Sequence, residues 1–166
     1  MTVTGGPGSL GSDRSGAPPT VIVVGALLPD WPPTTDVVVV PWPRNERGAL
    51  SGLKTVSYGE NVVALAHARD RGAGEALFPN LAGNLCEGTG SNIFVAVGGR
   101  LVTPPLGAGC LAGVTRALVI EACGAAQEDL GPADLGELRT ALWRYNNSRD
   151  YVAEVLRVAG LSERAA

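Results

Sequence analysis

Lysine is almost missing from this sequence: of thirteen basic residues only Lys54 is a lysine. Arginine carries surface charge as well as lysine does, but its guanidinium stays protonated and cannot serve as an amine nucleophile or general base. Lys54 therefore reads either as a surface residue spared by drift or as a position whose chemistry arginine cannot supply. Histidine is as scarce, and His67, in a helical stretch with no acidic or nucleophilic partner within sequence reach, reads as structural. The cysteines Cys86, Cys110 and Cys123 are odd in number and form no CxxC pair, which argues against a disulfide framework or a cysteine zinc site and for reduced, mostly buried thiols. No apolar run approaches the roughly 20 residues of a spanning helix, and the N-terminus lacks the basic-then-apolar order of a signal peptide. A soluble, cytoplasmic protein without membrane contact is expected. The net charge of −3, with acidic and basic residues scattered, offers no stripe for nucleic acid.

What remains is a chain of 166 residues, 45% hydrophobic, enough for one ordinary domain or a large piece of a bigger one. Residues 1–20, rich in Gly, Ser, Pro and Thr, are read as a flexible lead-in. Residues 21–160 are read as one α+β domain and 161–166 as a tail. Val21 to Val24 and Val37 to Val40 are β-branched runs bounded by prolines, the pattern of strands buried on both faces or covered by helices. Tyr58 to Arg69 fits a helix with Val62, Val63, Leu65, Ala66 and Ala68 as its apolar residues, capped by Ser57 or Thr55 and ended by Gly72 and Gly74. Runs at 75–78, 84–87, 92–97 and 101–103, separated by glycine-rich links, predict an antiparallel meander. Thr115 to Cys123 predicts a buried helix and Pro132 to Leu142 another, while Tyr151 to Val158 suits either a strand or a helix. Asp70, Glu75, Glu121, Glu128 and Asp129 read as solvated charges.

Three clusters offer chemistry. Lys54, with Tyr58 close behind it, sits at a junction leading into a helix, where side chains reach the rim of a sheet. Glu87 lies in Cys86-Glu87-Gly88-Thr89-Gly90-Ser91-Asn92 at the end of a strand, where it reads either as a solvated or ion-paired surface residue or as an acid that keeps a ring nitrogen protonated. Gly113-Val114-Thr115 precedes an apolar helix, so its backbone N–H groups suit an anion, while Thr115 also suits a plain helix cap. An amine, an acid and an anion-binding turn are what pyridoxal phosphate requires: a partner for its aldehyde, one for its pyridine nitrogen and one for its phosphate.

Taken together, Leu53-Lys54-Thr55 with Tyr58 and Asn61, Asn84-Leu85-Cys86-Glu87-Gly88-Thr89-Gly90-Ser91-Asn92-Ile93-Phe94, and Thr103-Pro104-Pro105-Leu106 followed by Cys110-Leu111-Ala112-Gly113-Val114-Thr115-Arg116 resemble the class IV aminotransferase family of pyridoxal-phosphate enzymes. The resemblance spans residues 44–123. It implies the larger, C-terminal domain of the D-amino-acid aminotransferase-like fold, with the smaller N-terminal domain missing. It also implies that Lys54 forms the Schiff base, that Glu87 partners the pyridine nitrogen, that Leu111 packs on the ring face, and that Gly113, Val114 and Thr115 grip the phosphate. Tyr58 matches a position that hydrogen-bonds the cofactor's phenolic oxygen in some members. The same segments look most like the aminodeoxychorismate lyases, which release pyruvate to leave 4-aminobenzoate for folate synthesis. The alternatives are a transaminase of branched-chain or D-amino acids, or a truncated remnant that only binds or dimerises. A small amino substrate and a homodimer are implied by the family. Where the family places a strand with a Thr-Ser pair, this chain reads 142–150, with Ser148 as a replacement phosphate contact.

Overall fold

The computed structural model describes residues 1–9, 11–13, 16–27, 32 and 34–135, and the backbone alone of 140–144. Ser148, the segment 151–158 and the tail at 161–166 lie outside the described residues. The chain divides into two compact units, Met1–Pro33 and Thr34–Ala166. In the first unit β1 (Thr2–Thr4) pairs antiparallel with β2 (Thr20–Ile22), so part of the expected lead-in is strand. The run Val21 to Val24, expected to be buried on both faces or covered by helices, is exposed throughout. A two-stranded ribbon has no second layer to cover them.

The second unit is built in four layers. β3 (Val37–Val39) pairs parallel with β4 (Glu75–Pro79), and β4 pairs antiparallel with β5 (Leu85–Gly88). A second sheet runs in the order β8 (Ala126–Gln127), β7 (Arg100–Thr103), β6 (Ser91–Val97), β9 (Thr140–Arg144). The four predicted strands are present, but they do not form one meander. β5 and β6 are not hydrogen-bonded neighbours, and the Thr89-Gly90 turn carries the chain from one sheet to the other.

Strand side chains alternate between faces, and that alternation explains the layering. Ala76, Phe78 and Cys86 of the first sheet meet Ala64 and Ala68 of helix α1 (Gly59–Arg69). Leu77 and Leu85 point the other way and pack on Ile93, Val95 and Val102 of the second sheet. Phe94 and Leu101 then face Val119 of helix α2 (Val114–Cys123). Burying side chains of this size contributes about 1.5–3 kcal/mol each. α1 meets its sheet through alanines, while Val62 and Val63 are exposed, the reverse of the face their size suggested; small residues let a helix backbone come close to the sheet.

α2 ends at Gly124, whose φ of 62° lies in the left-handed region, where a residue with a Cβ is strained. The helix predicted over 132–142 is not formed. Pro132–Leu135 makes one 3-10 turn, and Thr140–Arg144 is drawn into the sheet as β9 by pairing with β6. No helix among the described residues is long and apolar enough to cross a membrane.

Candidate active site

An open cavity of about 520 Å³ is lined by Arg44, Tyr58, Asn61, Glu87 and Leu111, among others. These residues come from the segment after β3, the start of α1, the end of β5 and the loop before α2, and they meet only because the first sheet holds β3, β4 and β5 side by side.

Glu87 is the best-held of them. It is 7% exposed. Its Oε2 accepts the Leu111 N–H at 2.9 Å, and its Oε1 stands 3.5 Å from an Arg44 Nη2. Burial raises its pKa above the usual carboxylate value, against the pull of the Leu111 N–H, of Arg44 and of Lys54. Glu87 is therefore neither a solvated surface carboxylate nor an isolated buried one. The same contact with the Leu111 amide fixes that loop at the cavity wall and brings Glu87 and Leu111 together.

Arg44, read in the sequence only as part of a polar stretch, is the arginine that faces Glu87. Its guanidinium lies over the Phe78 ring, 4.1 Å from the centroid. It donates to Asn61 Oδ1 at 3.2 Å and to Glu60 Oε2 at 3.3 Å. Its Nε is buried with no hydrogen-bond partner among the described residues. Asn61 in turn donates through Nδ2 to the Thr89 carbonyl. No signal in the sequence marks Arg44 apart from the other arginines, because its partners lie 16 to 43 residues away.

Lys54 is exposed, in the loop before α1. Its Nζ donates to the Tyr58 hydroxyl at 2.7 Å. Tyr58 forms the N-cap of α1 but makes no side-chain cap; Thr55 instead accepts the Ser57 N–H. Tyr58, Glu87 and Leu111 thus line one cavity, while Lys54 is absent from its lining and joins it through its hydrogen bond to Tyr58.

Gly113, Val114 and Thr115 stand apart from that cavity lining. Gly113, not Thr115, is the N-cap of α2, and it supplies no side chain to the first-turn amides. Gly113 is buried, and a Cβ there would collide with Asn92 Oδ1. Asn92 holds this loop to β6 by donating to the Leu111 carbonyl at 2.9 Å. Val114 is exposed and Thr115 half-buried.

Three further readings change or hold. Glu75 is not a solvated charge: it is 2% exposed, and its carboxylate accepts hydrogen bonds from Thr89 and Ser91. Those partners are fourteen and sixteen residues away, on the turn between the sheets, and sequence reasoning had no means of pairing them. The cysteines are free, with Cys86 and Cys110 buried as expected. Burial pushes both thiols up, so neither competes as a nucleophile at this site. His67 packs edge-on against Trp42, its ring 5.0 Å away, a packing role.

Comparison with known proteins identifies the family. Residues 1–151 match the family model described as amino-transferase class IV. A Methanocaldococcus jannaschii protein provisionally named a branched-chain-amino-acid aminotransferase is 33% identical over 125 residues, 73% of this chain and 43% of its own. The Mycobacterium tuberculosis bifunctional aminodeoxychorismate lyase / D-amino acid transaminase is 32% identical over 99 residues, 55% of this chain and 33% of its own. A solved Legionella pneumophila structure provisionally named a 4-amino-4-deoxychorismate lyase superposes with a TM-score of 0.75 at 28% identity, over 86% of this chain and 55% of that one. The chain therefore spans less than half the length of these two curated relatives. With nine-tenths of its length under the family model and the expected fold in place, the chain belongs to class IV of the aminotransferases, a family dependent on pyridoxal phosphate.

Proposed function

We propose that this chain carries the cofactor-holding part of an aminodeoxychorismate lyase, and that Lys54 is the residue that binds the cofactor. The observation that carries the reading is the meeting of Tyr58, Glu87 and Leu111 around one cavity, with Lys54 hydrogen-bonded to Tyr58 at its edge and a buried carboxylate held by the Leu111 amide. The residues fit pyridoxal phosphate. An amine, a fixed acid and a helix N-terminus without a side-chain cap are the three kinds of donor and acceptor the group calls for.

Bound there, pyridoxal phosphate would supply an electron sink for the electron pair left when a substrate loses its α-proton. Lys54 would take the cofactor's aldehyde and afterwards, freed by the substrate amine, would hold or move the proton at the substrate α-carbon. Tyr58, already accepting from Nζ, would orient that amine. Glu87 would keep a proton on the pyridine nitrogen, its two oxygens fixed by Leu111 and Arg44. Leu111 would cover one ring face and exclude water. Gly113, Val114 and Thr115 would receive the phosphate with their backbone N–H groups and the Thr115 hydroxyl, aided by the helix dipole.

The test is to mix the chain with pyridoxal phosphate, reduce with borohydride and locate the adduct by peptide mass. The expected result is one pyridoxyl group, on Lys54. A folded chain that stays unlabelled at Lys54 would sink the reading and leave a remnant with a binding or dimerising role only. Given the label, pyruvate release from aminodeoxychorismate assigns the lyase, with its product serving folate synthesis. Amino transfer to a 2-oxo acid without pyruvate release assigns instead a transaminase of branched-chain or D-amino acids, the activity class of two of the names above.

A homodimer is part of the same proposal. Leu50, Leu53, Val56, Val62 and Val63, on the segment before α1 and on α1 itself, are all more than half exposed, apolar surface of the kind a partner subunit covers. Sedimentation at micromolar concentration is expected to return twice the 17.0 kDa chain mass; a monomer there removes the dimer from the proposal.

A further inference from the structure

We propose that Glu75 is a positioning residue for the cofactor site, acting through the Gly88–Ser91 turn; this rests on the reading of Glu87 just given. Glu75 opens β4, and among the described hydrogen bonds its carboxylate accepts four. Oε1 accepts the Ala76 N–H at 2.9 Å, the Thr89 N–H at 3.1 Å and the Thr89 hydroxyl, and Oε2 accepts the Ser91 hydroxyl at 3.1 Å. Two of the four come from Thr89 in the turn that leads from Glu87 into the second sheet, and a third from Ser91, where that turn enters β6. Gly88 leaves the space this requires, since a Cβ there would run into Ser91 Oγ and stand 3.2 Å from the Glu75 carboxyl.

The turn has little stiffness of its own, because glycines flank Thr89 on both sides and glycine restricts the backbone least. A buried carboxylate is also a poor device for stability alone, as apolar residues of the same volume commonly do as well or better. What the carboxylate does supply is a fixed place for Thr89. The Thr89 carbonyl accepts Asn61 Nδ2, and Asn61 Oδ1 accepts Arg44, which pairs with Glu87. Glu75 is therefore joined to Glu87 by the backbone from Gly88 and by the route through Thr89, Asn61 and Arg44. Both end on the carboxylate that receives the Leu111 amide.

The experiment compares Glu75→Gln, which keeps the shape and removes the charge, with Thr103→Val, which deletes a buried hydrogen bond from Thr103 to the Ile93 carbonyl on the second sheet. Amide hydrogen exchange is read on the cofactor-free chain, and pyridoxal phosphate affinity alongside it. In Glu75→Gln the Thr89 and Leu111 amides are expected to exchange about tenfold faster while the Val95 and Val102 amides keep their rates, and cofactor affinity falls about tenfold. Thr103→Val leaves the Leu111 amide unchanged. An unaltered Leu111 amide in folded Glu75→Gln overturns the proposal, and so does equal acceleration in both variants. If Glu75→Gln does not fold, Thr89→Val decides: it removes only the hydroxyl donor, and a Leu111 amide unmoved in it overturns the proposal as well. Wild-type chain that binds no pyridoxal phosphate would defeat the functional reading alone, since the exchange rates still decide the role of Glu75.

Discussion

Lys54→Ala is expected to lose covalent capture of pyridoxal phosphate, and with it turnover down to background, while the fold is untouched. Lys54 is exposed and its described hydrogen bond goes to Tyr58, itself 38% exposed. Water can replace that partner, so the stability change should stay within about 0.5 kcal/mol. Lys54→Arg separates charge from chemistry: it keeps the cation beside Tyr58 and near Glu87 but brings no amine that can add to an aldehyde. Both variants should therefore behave alike after borohydride reduction, with no adduct at position 54. The only other lysine-like amine in the chain is its N-terminus, so a label that persists in both variants would map there and would show that Lys54 was never the attachment point. A lost label accompanied by lost thermal stability would mean instead that Lys54 supports the fold.

Glu87→Gln is expected to lower turnover by a factor on the order of a hundred to a thousand, the usual effect of removing one preorganised electrostatic partner. An amide has the shape of the carboxylate but cannot be an acceptor on both sides. Its oxygen can keep the Leu111 N–H, and then its NH2 faces Arg44, donor against donor. It also lacks the basicity to keep a proton on a pyridine nitrogen. The same variant carries a pH signature that needs no cofactor. Burial raises the folded-state pKa of Glu87 above its ordinary 4.5. A group raised in this way contributes stability that is complete below its unfolded pKa and is lost as pH rises through the folded one. The wild-type chain should lose stability over that window, and Glu87→Gln, which cannot ionise, should lose less. Urea midpoints taken at about pH 4 and about pH 7 check this. Equal changes in the two proteins would mean that Arg44, Lys54 and the Leu111 amide fully offset the burial of Glu87.

Much of this was local and could be read from the chain alone. The strands β4 to β7 follow from β-branched and apolar runs cut by glycine-rich links, and α1 and α2 from helical spacing ended by glycine. The motif around Glu87 and the single lysine pointed to the family and the cofactor before any packing was known. These signals survive in sequence because each depends on neighbours a few residues away.

Pairings across long separations were decided only by the tertiary structure. Whether residues 140–144 become helix or strand depends on β6 offering them hydrogen bonds, not on their own periodicity. The turn at Thr89-Gly90 divides what looked like one meander into two sheets because Leu77 and Leu85 of one must meet Ile93 and Val95 of the other. Val62 and Val63 look like a core face until the sheet beneath admits only Ala64 and Ala68. Glu75 and Arg44 look like ordinary surface charges until their partners arrive from fourteen to forty-three residues away. The sequence determines which groups are available for chemistry; burial and hydrogen bonding between distant segments determine which of them are held still enough to perform it.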